Sequence, residues 1–340
     1  MKDYLVDVPV TVLLWIRPEA QRKQFEIIKE ARPSTLLIVS DGGRTEEEKN
    51  AIAINRTMYE TEVDWNCTIH RFYSDVNLGT YACIQKMHEF VWSHVDRTIF
   101  LEDDILPSVS FFRFCAELLE KYKDDPRIYA ICGMNHEGIS EEVNTAYFFS
   151  RYGSIWGHAF WKRTYDQYYD YEYRSDPYTT ELLEEAASKV IPAHRRQIES
   201  VAKYGEYDGH IPGGEFFMNF AIYGQHQLLI IPKKNMITNI GCDPHAAHST
   251  DINNLPMGIR RVFNMERYEI SFPMKHPKYV FPDTRYEKVR NRIMGFGHPV
   301  VTAYRNAESV YRNIKNGNGN YVKDRLCKLI NLKLGKFKED

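Results

Sequence analysis

The chain has 340 residues, a formal net charge of −2 and 43% hydrophobic residues, so it can bury one large core or two smaller ones. The near-neutral charge gives no overall indication of a nucleic-acid partner. Six scattered cysteines without a CxxC pair indicate a reducing compartment and argue against structural zinc. The N-terminus lacks a signal-peptide pattern and no apolar run reaches membrane-spanning length, so we expect a cytoplasmic protein.

Strand and helix patterns alternate through the first third of the chain. A near-continuous apolar run over 8–16 predicts a buried strand, and Pro18 opens a helix that extends to about residue 32. A second buried strand is predicted over 35–39, followed by a helix capped by Thr45. A third strand is predicted over 65–73.

A helix over 80–94 then leads into a short strand over 98–101. Four successive strand–helix alternations are typical of a mostly parallel sheet with helices on both faces, an α/β fold of the Rossmann-like kind. The pattern continues with a helix capped by Ser108 or Ser110 and a strand over 128–132.

Three consecutive acids, Glu102, Asp103 and Asp104, follow the strand over 98–101 directly. Adjacent carboxylates repel one another, and burial near an apolar core is costly without a counter-charge. The carboxyl end of a strand in such a sheet faces the ligand crevice, where carboxylates suit a hard divalent cation, and such a cation in turn suits a bound diphosphate. A solvated acidic turn is the alternative; we favour a metal–diphosphate site.

Other polar residues follow the first three predicted strands. Arg17 can pair with a phosphate, and Asp41 can accept from a ribose hydroxyl or a base N–H, although Asp41 before Gly-Gly also suits a plain turn. Asn77 lies in the loop after the third strand, where a turn explains it equally well. The absence of GxGxxG and GxxxxGK[ST] motifs argues against a dinucleotide site and a P-loop kinase.

Three later stretches offer further candidate residues. Trp156 and neighbouring aromatics surround two glycines, a pattern that suits sugar stacking and, equally, ordinary core packing. Glu215 begins an apolar helix, where it is either a general base in a partly dry cleft or a residue stabilised by the helix dipole. His245 and His248 follow a strand over 227–231, and either can supply a nitrogen ligand to a metal.

The C-terminal stretch differs in character. Helical patterns continue through Arg312, and 316–320 is a Gly/Asn-rich break. Residues 321–338 carry six basic side chains against Asp324, interleaved with apolar ones. This pattern indicates either a peripheral helix on an anionic membrane or a helix docked on its own domain.

Together these motifs resemble nucleotide-sugar glycosyltransferases of the GT-A fold. The likeness is to bacterial family 2-like (HlpA-like) transferases, similar in pattern to N-acetylglucosaminyltransferase I, and it covers about 8–277. It rests on the early strand with Arg17, on the strand ending at Asp41, and on four further motifs. These are IFLEDDILPSVSFFRF, SRYGSIWGHAFWKR, IIPKKNMITNIG with the closing Ala-His-Ser, and FPMKHP.

The resemblance implies a role for each candidate residue. Asp104 and His248 are the implied metal ligands for Mn²⁺ or Mg²⁺, and Glu215 is the implied catalytic base. The implied donor-binding residues are Arg17, Asp41, Asn77, Glu102, Asp103, Trp156 and His158. Departures from the family pattern occur at Glu215, where relatives carry Asp between tryptophans, and at His158, where they carry Trp.

The expected organisation is a GT-A catalytic domain over 1–255, with a nucleotide-sugar half (1–135) and an acceptor half (136–255). A C-terminal helical extension is expected over 256–340. The expected activity is metal-dependent, inverting transfer from a UDP-sugar to a glycan or lipid-linked glycan in bacterial surface polysaccharide synthesis. The alternatives are a retaining transferase, a sugar nucleotidyltransferase or a non-catalytic carbohydrate-binding protein.

Overall fold

The computed structural model describes residues 1–168, 176–187, 219, 222, 224–242, 251–320 and 322–323. Its first part alternates strands and helices as predicted. The strands are β1 (Val6–Leu14), β2 (Pro33–Ser40), β3 (Thr68–Tyr73) and β4 (Arg97–Leu101). The intervening helices are α1 (Pro18–Ala31), α2 (Glu46–Thr61) and α3 (Thr80–His94).

The remaining strands have five residues or fewer, and they do not alternate regularly with helices. The strands are β5 (Ile105–Pro107), β6 (Ile128–Cys132), β7 (Tyr147–Ser150), β8 (His158–Trp161), β9 (Leu228–Pro232) and β10 (Ile237–Asn239). The helices are α4 (Val109–Lys121), α5 (Lys162–Tyr168), α6 (Pro177–Ala187), α7 (Met257–Arg260), α8 (Thr284–Met294) and α9 (Pro299–Lys315). A single 3₁₀ turn spans Ile252–Asn254.

Eight of the strands form one mixed sheet in the order β3-β2-β1-β4-β8-β6-β9-β7. The pairs β2–β3, β1–β2, β1–β4 and β6–β9 are parallel, whereas β8 and β7 run antiparallel to their neighbours. The predicted mostly parallel α/β sheet is therefore confirmed. Strands β7 and β8 were not predicted, and β5 pairs with β10 in a separate two-stranded sheet.

The strand order reverses direction between β1 and β4. The chain steps outward from β1 to β2 and β3, then returns to place β4 on the other side of β1. Because parallel crossovers are right-handed, this reversal places α3 on the face opposite α1 and α2. Trp92 and Phe90 of α3 contact Phe100 and Phe72 of the sheet, so this helix packs directly on the strands.

Apolar strands build the core, as the sequence indicates. Val8, Val10 and Val12 of β1 are fully buried. Within this core the hydroxyls of Thr11 and Thr98 lie 3.0 Å apart and satisfy each other across neighbouring strands. A polar pair is thus tolerated in the sheet centre because neither hydroxyl is left without a hydrogen bond.

Several predicted boundaries differ from the structure. The first strand ends at Leu14 rather than at residue 16, and the third begins at Thr68 rather than at 65. Trp65 precedes β3 as a buried side chain whose Nε1 donates to the Pro33 carbonyl at 2.8 Å. A buried Trp with a hydrogen-bond partner has the same sequence signature as a strand residue, which explains the early start.

The start of α4 is capped differently from the prediction. Ser108 occupies the N-cap position without a side-chain cap bond, and Ser110 instead accepts from Ile270 N–H. The carboxylate of Glu269 accepts the backbone N–H groups of Val109 and Ser110 at 2.9 and 2.7 Å. An acidic side chain at a helix N-terminus also complements the dipole, so a residue 160 positions away replaces the local cap.

Helix α8 is joined by two polar contacts to the segments that follow β6 and β7. Glu287 accepts from the backbone N–H and the guanidinium of Arg151, the residue after β7. Tyr286 places its hydroxyl 3.2 Å from Nδ1 of buried His136. We call these contacts the α8 anchor. Among the described residues, the structure contains no helix with the length and apolarity needed to cross a bilayer.

Candidate functional site

The acidic turn lies at the point where the strand order reverses. Arg17 follows β1, and Glu102, Asp103 and Asp104 follow β4, its parallel neighbour. In open α/β sheets ligands bind in the crevice at the carboxyl ends of strands, at this topological switch point. The structure therefore brings together Arg17 and the three acids, which are 85 or more residues apart in sequence.

Arg17 contacts two of these acids. Its Nη1 donates to both oxygens of Asp103 at 2.9 and 2.8 Å and lies 3.7 Å from Oδ2 of Asp104. The side chains of Arg17, Asp103 and Asp104 are 10, 12 and 14% exposed. Charge-assisted hydrogen bonds of this kind offset part of the cost of burying the carboxylates.

Two glutamines of α1 hold the backbone of the acidic turn. Gln24 Nε2 donates to the carbonyls of Glu102 at 2.7 Å and Ile105 at 2.6 Å, and Gln21 Nε2 lies 3.4 Å from the carbonyl of Asp103. Both side chains are fully buried. They are missing from the sequence prediction, although two amides on an otherwise apolar face of α1 are a readable signal.

Asp104 is fixed from the other side by the segment after β10. The Ile240 N–H donates to the Asp104 carbonyl at 3.0 Å. A Cβ atom on Gly241 would lie 1.8 Å from Oδ2 of Asp104, closer than any two such atoms can approach. Only glycine at position 241 lets the backbone come this near to the carboxylate, so the β5–β10 ribbon determines where Asp104 lies.

Asp41 and Asn77 form a second cluster at the ends of β2 and β3. The Asp41 carboxylate accepts the backbone N–H groups of Gly42, Leu78 and Gly79 at 2.8 to 3.1 Å. It also accepts from Nδ2 of Asn77 at 3.2 Å. Both predicted residues are brought together here, and their mutual contacts shape the 74–79 loop at the ligand edge.

Arg56 of α2 bridges the carboxyl ends of β2 and β3. Its guanidinium donates to the Ser40 hydroxyl at 2.9 Å and to the carbonyls of Asp41 at 3.2 Å and Ser74 at 2.9 Å. Burial lowers the pKa of this arginine from its ordinary value. Arg56 was missed because it lies on the inner face of α2 between Ile52 and Tyr59, where an apolar residue is expected.

His158, at the start of β8, lies beside the end of β4. Its ring stacks on Phe100 and Phe160 at centroid distances of 5.4 and 5.3 Å. Burial lowers the pKa of His158 to about 4, so the imidazole is neutral at pH 7. Because Nδ1 lies 2.5 Å from the Ile155 carbonyl, Nδ1 carries the proton and Nε2 remains an acceptor.

The aromatic residues predicted around Trp156 divide into two groups. Phe160 and Trp161 are buried in the core, whereas Trp156 and Tyr152 are partly exposed. Trp156 contacts Phe263 with ring centroids 5.0 Å apart. Ordinary core packing thus accounts for the first two, and Trp156 stays a candidate for ligand contact.

Three predicted site residues lie outside the described part of the chain. They are Glu215, His245 and His248. Among the described residues, no group of three or more His, Cys, Asp or Glu side chains is arranged to hold a metal ion. A Mg²⁺-type site needs only one or two protein carboxylates when substrate phosphates supply the remaining oxygens, and Asp104 meets that chemistry.

The chain matches no protein-family model and no curated protein sequence. The site is therefore interpreted from its own geometry. Carboxylates, a largely buried arginine side chain and oriented backbone groups lie together at the carboxyl ends of parallel strands, an arrangement suited to binding a phosphorylated ligand together with a hard cation.

Proposed function

We propose that this protein is a glycosyltransferase of the GT-A type that moves a sugar from a UDP-sugar to a glycan or lipid-linked glycan acceptor. The observation that carries the proposal is the acidic turn at the switch point between β1 and β4, in contact with Arg17. A nucleotide diphosphate placed at that edge meets carboxylates for a cation and lies next to the Asp41 loop.

The donor set fits a divalent cation. Asp104 is one carboxylate held against Gly241, and Glu102 and Asp103 adjoin it. In the proposal Asp104 and His248 would hold Mn²⁺ or Mg²⁺, and Glu102 would act through water. When bound, the cation supplies positive charge that stabilises the departing diphosphate.

The protein's own residues orient the donor. Arg17 already neutralises part of the charge on Asp103 and Asp104 before a donor arrives. The uridine and ribose are assigned to the edge formed by Asp41, Asn77 and Asp103. The sugar is assigned to Trp156 and to His158, whose neutral Nε2 can accept a hydrogen bond from a hydroxyl.

Glu215 is the proposed general base of an inverting displacement. It takes the proton from the acceptor hydroxyl while that oxygen forms a bond to the anomeric carbon and the bond to UDP breaks. The resemblance in sequence supports this assignment. The acceptor is proposed to be a surface-polysaccharide intermediate, with the protein in the cytoplasm and residues 321–338 in peripheral contact with an anionic membrane.

One observation favours a second candidate, a non-catalytic carbohydrate- or nucleotide-binding protein. The acidic turn has Arg17 as a resident counter-charge, which already offsets part of the negative charge that would otherwise attract a cation. This candidate binds a nucleotide sugar but releases no nucleotide.

Release of UDP from a panel of UDP-sugars, with Mn²⁺ and then with EDTA, tests the proposal. We expect release that depends on Mn²⁺ and on an added acceptor. Glu215→Gln is expected to retain donor affinity and to lose about 10²–10⁴ in rate, the usual range for one general base. Binding without release in every combination would instead support the second candidate, and a product with the donor's anomeric configuration would indicate a retaining mechanism.

A further inference from the structure

Helix α9 has its polar face toward the protein and its apolar face toward solvent. The inward side carries Ser309 and Asn313, both buried, and Asn313 Nδ2 donates to the carbonyl of Asn254 at 3.2 Å. Glu308 accepts the N–H of Met257 at 3.1 Å, which joins α9 to α7. A surface helix of a globular protein normally has the reverse arrangement.

The outward side is a continuous apolar stripe. Val300, Tyr304, Tyr311 and Ile314 expose 60–69% of their surface, and Ala307 between them is exposed as well. At 3.6 residues per turn these five positions fall within about 80° of the helix circumference. Such an exposed stripe indicates a contact surface.

The charge around the stripe selects the kind of partner. Residues 284–320 contain seven Lys and Arg side chains against two acids, although the whole chain carries a net charge of −2. Lys288, Arg292 and Lys315 are exposed among them. A second copy of this face would be repelled, and so would the basic segment 321–338, because both carry the same sign of charge.

We propose that the outward face of α9, defined by Val300, Tyr304, Ala307, Tyr311 and Ile314, lies on an anionic lipid surface. The tyrosines bury their rings at the headgroup level and keep their hydroxyls in water, while the basic residues contact lipid phosphates. This surface lies within the described residues and is distinct from 321–338. The inference does not depend on the transferase activity.

The test is co-sedimentation of the full chain with phosphatidylcholine vesicles, with and without phosphatidylglycerol. We expect binding only to the anionic vesicles. Tyr304→Gln combined with Tyr311→Gln should weaken that binding about tenfold, since two interfacial rings are removed without a change of charge. Ile54→Gln on α2, which removes an equally exposed apolar side chain at 59% exposure, is the matched control and should bind as the wild type does.

Hydrogen exchange over 299–315 provides a second measurement that does not need a variant. Anionic vesicles should slow exchange in this segment, and failure to do so would overturn the proposal. Equal losses in the control and the double variant would also overturn it. A dimer in solution that the double variant dissociates would also overturn the proposal, because a second copy would then cover this face. The same holds if vesicle binding survives the double variant and disappears when residues 321–340 are removed. None of these outcomes bears on UDP release, so the two proposals fail separately.

Discussion

Two arginine–carboxylate pairs show how the same chemistry serves different purposes in this molecule. At the switch point one arginine, Arg17, contacts two neighbouring acids, Asp103 and Asp104. In the α8 anchor one carboxylate, Glu287, accepts three N–H groups of a single residue, Arg151. In the α8 anchor one carboxylate faces one arginine, so the two charges balance and the pair joins two segments. At the carboxyl ends of β1 and β4, two acids contact a single arginine. We therefore expect substitutions at the edge to change ligand chemistry and substitutions in the anchor to change stability.

The largest expected effect is that of Asp104→Asn. Loss of this carboxylate should lower kcat/KM for sugar transfer about 10³-fold, equivalent to about 4 kcal/mol, because the charge that holds the cation at the diphosphate is lost. The thermal midpoint should change little, since the amide keeps the shape of the side chain. EDTA treatment of the wild type should lower the rate to the same level.

Asp166→Asn is the matched control for that measurement. Asp166 pairs with Lys162 on the surface, where both side chains are 41% or more exposed. Its substitution should leave the rate unchanged, because exposed ion pairs contribute little. Full turnover in Asp104→Asn would remove the metal–diphosphate interpretation of the acidic turn.

Gly241→Ala tests the same edge without altering any charge. The new methyl group would collide with the Asp104 carboxylate, so either the β5–β10 ribbon or Asp104 has to move. We expect a loss of about 10²-fold in kcat/KM, since an error of about 1 Å in position is costly for catalysis. Gly319→Ala, at a position with open space around it, should have the wild-type rate. A fully active Gly241→Ala variant would show that the position of Asp104 is not critical.

The first half of the fold could be predicted from the sequence because local signals and tertiary structure agree there. Four apolar strand runs, the Pro18 helix start and the Thr45 cap all appear close to their expected places, and Thr45 does accept from the Glu48 N–H. Since carboxyl ends of parallel strands share one edge, the placement of Arg17, Asp41 and Asp104 followed from topology alone.

The remaining contacts could not be predicted because they are made across long sequence separations. Glu269 caps α4, and Gln24 and Arg56 satisfy carbonyls on distant segments. Strands β7 and β8 are four residues each and take their pairing from the sheet rather than from periodicity. Polar residues in an apolar helical stripe do mark Gln24 and Arg56 as unusual, but this signal does not reveal which carbonyl groups they contact.

Glu287→Gln tests the contribution of the α8 anchor to stability. It removes the charge that pairs with Arg151 in a place where the carboxylate is 5% exposed. We expect a loss of about 2 kcal/mol in the free energy of unfolding, less than for a fully buried pair because Arg151 is partly solvated. Urea denaturation measures it. Glu142→Gln, which breaks an exposed pair with Arg285, should cost no more than about 0.5 kcal/mol.

If Glu287→Gln and Glu142→Gln lowered the free energy of unfolding by the same small amount, charge would not be what stabilises the α8 anchor. A loss of catalytic rate in Glu287→Gln at unchanged stability would contradict the division between edge and anchor. Catalytic rate and free energy of unfolding therefore both have to be measured for substitutions in the acidic turn and in the α8 anchor.

The smallest expected effect is a pH dependence of the α8 anchor. Burial, with a contribution from nearby Arg290, holds the pKa of His136 well below its ordinary value of 6.5. Below about pH 6.5 the unfolded chain takes up a proton that the folded chain does not, so His136 favours folding above that pH and progressively less below it. Between pH 7 and 5.5 this one group should lower the free energy of unfolding by about 1 kcal/mol.

His136→Gln should be less stable at pH 7, where the Tyr286 contact is lost, but should show a shallower decline on acidification. Urea denaturation across this pH range measures both slopes. Identical slopes in the wild type and the variant would place the titrating group elsewhere, for example at His88, where burial lowers the pKa to about 3.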